Sequence, residues 1–137
     1  MTPFVLDTSV AAAFVFKDEA TVETIELLGG IGNSSVFVPS LFWHEARNLL
    51  INGARRGRMA KDSILPAMTF IRKLSIEDCG SGADEDILKL ANKHDLTAYD
   101  AAYLSLAIEK SCPLITFDKK LRRAADIEGR AVRSLLT

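Results

Sequence analysis

No apolar run in this chain approaches the roughly 20 residues that a membrane-crossing helix needs, and the short hydrophobic stretch at its start is interrupted by Asp7. Neither a transmembrane segment nor a secretory leader is expected, and a soluble cytoplasmic protein is the resulting expectation. Cysteine is scarce. Cys79 and Cys112 stand without CxxC spacing, and His44 and His94 do not complete a zinc pattern with them. Both thiols read as ordinary cysteines of a reducing compartment, His44 as a packing residue beside Trp43, and His94 as a helix-end residue. There is no Ser, Cys or His nucleophile with a partner at useful spacing, which argues against a covalent intermediate. Internal repeats, linkers and low-complexity segments are missing as well.

What is present is an alternation of strand-like and helix-like segments. At 137 residues, 48% of them hydrophobic and 26% charged, the chain has the size and apolar content of a single domain, residues 1–137, with a substantial core. Short apolar runs mark strands at Phe4–Asp7, Ser35–Val38 and Leu114–Thr116, and further short strands are expected at Ser75–Asp78 and about Ala131–Leu135. Between them helices are expected at about Ser9–Phe16, Ala20–Leu28 with its stop at Gly29 and Gly30, Ser40–Arg55, Ala60–Lys73, Asp84–His94, Thr97–Lys110 and Asp118–Ala125. Pro66 means that the fourth of these either starts near Ser63 or is kinked. Strands alternating with helices need crossover connections, so the fold expected is a three-layer α/β/α domain around a mainly parallel sheet.

Four acids occupy unusual places in this pattern. In LTAYDAAYLSLA, Asp100 shares a helical stripe with Leu104 and Ala107, which puts a carboxylate on an inward face. Asp7 ends the run PFVLD, Asp118 follows PLITF, and Glu45 lies in the helix SLFWHEARNLL. Each acid alone has an ordinary explanation: Asp7 and Asp118 as helix N-caps, Asp100 as the acidic half of a capping box with Thr97, and Glu45 as a solvated helical residue. Their conjunction points elsewhere. Ligands of parallel sheets collect beyond the carboxyl ends of the strands, where Asp7 and Asp118 sit and where helices begin.

Carboxylates gathered at such an edge repel one another, by roughly 4 kcal/mol for a pair about 4 Å apart at an effective dielectric of 20. A divalent cation relieves that repulsion. The donors are all hard oxygens, which suits Mg²⁺ or Mn²⁺ rather than zinc or copper. Few protein ligands around such an ion leave room for phosphate oxygens, so metal-assisted phosphodiester hydrolysis is the chemistry that follows.

The sequence resembles the PIN-domain ribonucleases, in particular the VapC-type toxins of toxin–antitoxin pairs. The likeness rests on VLDTSV at Val5–Val10, HEARNLL with Glu45, LTAYDAAYLSLA with Asp100, and PLITFDKKL with Thr116 and Asp118, in that order along nearly the whole chain. The resemblance implies an α/β/α PIN fold, a homodimer, and endonucleolytic cleavage of RNA at an acidic site holding Mg²⁺ or Mn²⁺. It also implies a VapB-type antitoxin that blocks the site. By motif, Asp7 and Asp100 become the principal metal ligands and catalytic residues, with Glu45 and Asp118 completing a quartet. Thr8 and Thr116 become supporting hydroxyls.

A net charge of −1 is unhelpful for holding RNA, yet the charge is segregated. Lys119, Lys120, Arg122 and Arg123 follow Asp118 directly and are the better candidates for RNA phosphates; a second cluster lies at Arg55, Arg56, Arg58 and Lys61. Both clusters also read as solvated helix ends. No aromatic-rich stretch offers a stacking platform for bases. Phe14, Val15 and Phe16 after Ala11–Ala13 make the first helix apolar nearly all round, as Leu41, Phe42 and Trp43 do for the third. Such helices are core elements or surfaces for a dimer or antitoxin. Two other functions remain open: a catalytically silent PIN domain acting as an RNA-binding or assembly module, and a Mg²⁺-dependent phosphatase or receiver. The latter is opposed by Ser9, where an aspartyl-nucleophile phosphatase has its second Asp.

Overall fold

The computed structural model describes residues 3–30 and 35–131. Strands β1 (Phe4–Leu6), β2 (Val36–Val38), β3 (Ile76–Asp78) and β4 (Leu114–Ile115) form one sheet in the order β3-β2-β1-β4. Every pairing is parallel, with Val5 opposite both Phe37 and Leu114. β1 is central and wholly buried, which is why it reads as an unbroken apolar run rather than an alternating one. β3 lies at the edge and carries the exposed Glu77 and Asp78, charges that blunt an open strand edge.

Among the described residues, seven helices cover this sheet: α1 (Thr8–Val15), α2 (Val22–Gly30), α3 (Leu41–Arg55), α4 (Ile64–Lys73), α5 (Asp84–His94), α6 (Ala98–Glu109) and α7 (Lys119–Ile127). α6 packs on β1, β2 and β4, and α5 and α7 lean against it. Its alanines Ala101, Ala102 and Ala107 are buried together with Leu104 and Leu106, so the helix is enclosed on most sides. α1 packs against α2 and α3, and α3 against α4. The architecture is the expected α/β/α arrangement.

Several boundaries differ from expectation for identifiable reasons. β1 ends at Leu6, and Asp7 is already the residue preceding α1. α2 starts at Val22 because Thr21 and Thr24 exchange backbone-to-hydroxyl hydrogen bonds of 2.8 and 3.2 Å, a reciprocal cap. It then runs through Gly29 and Gly30 instead of stopping there. A short 3₁₀ turn at Lys61–Ser63 precedes α4, so Pro66 falls in the first turn of that helix, where its missing N–H leaves no helical bond unmade. α7 extends to Ile127, past the expected Ala125. Of the expected last strand only Ala131 is described, as a single parallel bridge to Leu114; positions 132–135 lie outside the described residues.

The core absorbs both of the helices whose sequences are apolar nearly all round. Val10 to Ala13 and Phe16 are buried, with Phe14 and Val15 packed against the same cluster, and Phe42 and Trp43 meet edge to face at 5.0 Å. The apolar character of α1 and α3 is thus largely covered within the chain.

Candidate active site

β1 leads through α1 and α2 to β2 on one side, while β4 joins its other side, so the chain's winding reverses between β1 and β4. At such a switch point the connections diverge and leave a crevice beyond the strand ends. Asp7 and Thr116 are the first residues past those two strands. They are held together by the Asp7 backbone N–H, which donates to the Ile115 carbonyl at 3.1 Å.

Asp7 is buried, with extended φ and ψ, and makes no capping bond to α1. Its Oδ2 instead accepts hydrogen bonds from Thr116 Oγ1 at 2.6 Å and Ser9 Oγ at 2.8 Å. Burial pushes its ionisation upward, the nearby Asp118 charge adds to this, and the two hydroxyl bonds oppose it. Thr116 is itself a junction: its hydroxyl accepts from the Asp118 N–H at 3.1 Å, and its carbonyl accepts from Arg122 at 2.8 Å. Ser9 Oγ likewise accepts from the Phe117 N–H at 3.0 Å. The turn from β4 into α7 is therefore tied to the turn from β1 into α1.

A second hydrogen-bonded group centres on Glu45. Its Oε1 accepts from Tyr103 Oη at 2.6 Å and from Thr8 Oγ1 at 3.0 Å, and the two hydroxyl oxygens are 2.7 Å apart. Burial and the adjacent Glu45 carboxylate hold the Tyr103 phenol far above its usual range, so it stays a neutral donor.

Asp100 stands between these groups electrically. Its backbone N–H is capped by Thr97 Oγ1 at 3.1 Å, which is one half of the expected capping box, while its carboxylate accepts no hydrogen bond from a described residue. Its ionisation is pushed up to about 6, first by burial and then by the charges of Asp7, Asp118 and Glu45, with Lys120 opposing. Asp118 both caps α7, accepting from the Leu121 N–H at 2.8 Å, and contributes to this field. None of the four carboxylates is ion-paired among the described residues. The pairs that do form use Asp18, Glu19, Asp95 and Glu128 instead.

The donor set is all oxygen, matching a hard dication, and among the described residues it is not neutralised by guanidinium or ammonium partners. As the side chains stand, no three His, Cys, Asp or Glu among the described residues surround a common point. The carboxylates share a field rather than a closed cage, and Asp7 and Glu45 each keep one oxygen on protein hydroxyls.

The basic residues of α7 divide. Lys120 pairs with Asp95 at 3.1 Å and Arg122 buttresses the Thr116 carbonyl, whereas Lys119 and Arg123 are exposed without an ion pair among the described residues. In the other cluster, Arg58 bridges Asp18 and Glu19 and lies 4.1 Å from the centre of the Phe16 ring.

Two members of the site were not singled out from sequence. Ser9 sits two residues past Asp7, within reach of an Asx-type bond. Tyr103 is a wholly buried phenol on a helix otherwise rich in Ala and Leu, and such a phenol needs a partner.

A model of the PIN domain family matches residues 4–127. The chain belongs to the PIN domain family. Ribonuclease VapC3 of Pyrobaculum aerophilum is 28% identical to this PIN domain over 121 residues, spanning 85% of this chain and 90% of that protein. The crystal structure of PAE2754, also from Pyrobaculum aerophilum, superposes with a TM-score of 0.75 at 20% identity, covering 96% of this chain and 88% of that one; this likeness concerns the fold.

Proposed function

We propose that this PIN domain is a metal-dependent endoribonuclease of the VapC type, the toxin of a toxin–antitoxin pair, acting in the cytoplasm. The observation that carries the reading is geometric: Asp7 and Glu45 are held by the adjacent hydroxyls Ser9 and Thr8 of the β1–α1 turn and by Thr116 past β4, at the sheet's switch point, and among the described residues neither they nor Asp100 and Asp118 have a basic ion-pair partner. Similarity to a protein named as a ribonuclease supports RNA as the substrate.

In this reading Asp7 and Asp100 are the principal ligands of Mg²⁺ or Mn²⁺, with Glu45 and Asp118 completing the set. When bound, such an ion supplies charge stabilisation on phosphate oxygens and lowers the pKa of water. The protein's own part is positional. Ser9 and Thr116 fix one oxygen of Asp7, Thr8 and Tyr103 fix one oxygen of Glu45, and Asp118 is oriented by the first turn of α7. Lys119 and Arg123 hold RNA phosphates beside the acids, while Lys120 and Arg122 are engaged with Asp95 and the Thr116 carbonyl. A VapB-type antitoxin and a homodimer belong to the same reading.

The test is cleavage of RNA by purified protein, with and without chelator, in parallel with Asp100→Asn, followed by sequencing of the new RNA ends. Chelator-sensitive cuts lost in the variant are expected. RNA binding without cleavage by the parent protein would instead favour a silent RNA-binding or assembly module.

A further inference from the structure

We infer that Tyr103 is a positioning residue of the acidic site, its hydroxyl fixing which oxygen of Glu45 is available to a cation. The inference rests on the metal-dependent reading above and adds to it a residue from the hydrophobic core. Tyr103 is wholly buried, between α6 and the rest of the core, and the only polar atom of its side chain meets Glu45 Oε1 and Thr8 Oγ1. A phenylalanine would fill the same volume without a buried hydroxyl to satisfy, so the phenol adds polarity to the core and directs it at one atom. Glu45 is 58 residues away in sequence, on α3, where a glutamate has several side-chain torsions to restrain. Two hydroxyls converge on its Oε1, while Oε2 accepts no hydrogen bond from a described residue. The carboxylate is thus divided into a tethered oxygen and an open one, which suits single-oxygen ligation. Removing a partner of this kind, one step behind the ligand, typically changes metal affinity by about 10- to 100-fold.

A buried tyrosine that merely satisfies its own hydroxyl would affect folding alone, so the test must separate the two roles. Mn²⁺ binding is measured by calorimetry, and RNA cleavage by initial rate, for the parent, Tyr103→Phe, Glu45→Gln and the double variant, with thermal melts of each. The expected result is a loss of Mn²⁺ affinity of roughly tenfold in Tyr103→Phe and a matching fall in cleavage. Both effects should largely vanish in the Glu45→Gln background, because the phenol acts through that carboxylate. Should Tyr103→Phe fold poorly, Thr8→Val removes the companion hydroxyl and is expected to show the same dependence on Glu45. Lowered melting with parent-like Mn²⁺ affinity, or equal losses with and without Glu45, overturns the inference and leaves the metal-dependent nuclease reading intact. A parent protein that binds no Mn²⁺ overturns both.

Discussion

Thr116 donates a hydrogen bond of 2.6 Å to Asp7 although 109 residues separate them, joining the ends of two neighbouring parallel strands at a buried carboxylate. The site is therefore part of the fold's own closure: whatever loosens the β1–β4 junction also releases the aspartate.

Thr116→Val keeps the shape and removes that donor, together with the acceptor for the Asp118 N–H. A hydrogen bond to an ionised group contributes about 1.5–3 kcal/mol, so a loss of stability in that range is expected at neutral pH. The bond favours the charged form of Asp7, and the loss should shrink in acid as that group protonates. Urea unfolding at both pH values checks this; a change below about 0.5 kcal/mol at neutral pH would show the bond to be incidental.

Asp100 titrates near 6 in the fold against an ordinary 3.8. Its folded form holds a proton more tightly than the unfolded chain, so its stabilising contribution is complete below 3.8 and is lost as pH rises through about 6. Metal-free protein should melt at lower temperature as pH rises across this window. Asp100→Asn should flatten that segment and melt above the parent at slightly alkaline pH. Melts in chelator across the window read the effect directly; a parent-like slope in the variant would place the titration elsewhere.

On α7, Lys119 and Arg123 have no ion-pair partner among the described residues, whereas Lys120 and Arg122 are engaged. Reversing Lys119 and Arg123 to Glu should weaken RNA binding and reduce its salt dependence, by about 0.7 in log–log slope for each phosphate of a single strand that is no longer neutralised. Binding isotherms over a range of salt supply the slope. An unchanged slope identifies the pair as a solvated helix face.

Gly53 on α3 faces the Phe16 ring, and a Cβ built there lies 2.5 Å from the ring's Cζ. Gly53→Ala improves helix propensity but overpacks this position, and a net destabilisation of about 1–3 kcal/mol is expected. Thermal or chemical unfolding decides; a stabilised variant would mean that Phe16 moves aside without penalty.

Much of this was legible in the sequence because the signals were local. Thr97 before α6, Pro66 in the first turn of α4 and the apolar runs of β1 and β4 carry their structural meaning within a few residues. The four acids stood out because each occupied a strand end or an apolar helix. Ser9 and Tyr103 were harder to see, since their roles depend on partners brought close only by folding: Ser9 meets Thr116 and Phe117, and Tyr103 meets Glu45. The apolar faces of α1 and α3 were ambiguous for the same reason, because periodicity shows that a face is covered and not by what. The division of α7 into engaged and unengaged cations likewise needed Asp95 and the Thr116 carbonyl in place.

The central claim, that four carboxylates distant in sequence act together on one hard cation, is tested most directly by anomalous diffraction from crystals of the protein grown with Mn²⁺. A peak within coordination distance of Asp7 and Asp100, absent in crystals of Asp100→Asn, is the predicted result. A manganese peak bound elsewhere, or one at this crevice that persists unchanged without the Asp100 carboxylate, would contradict it.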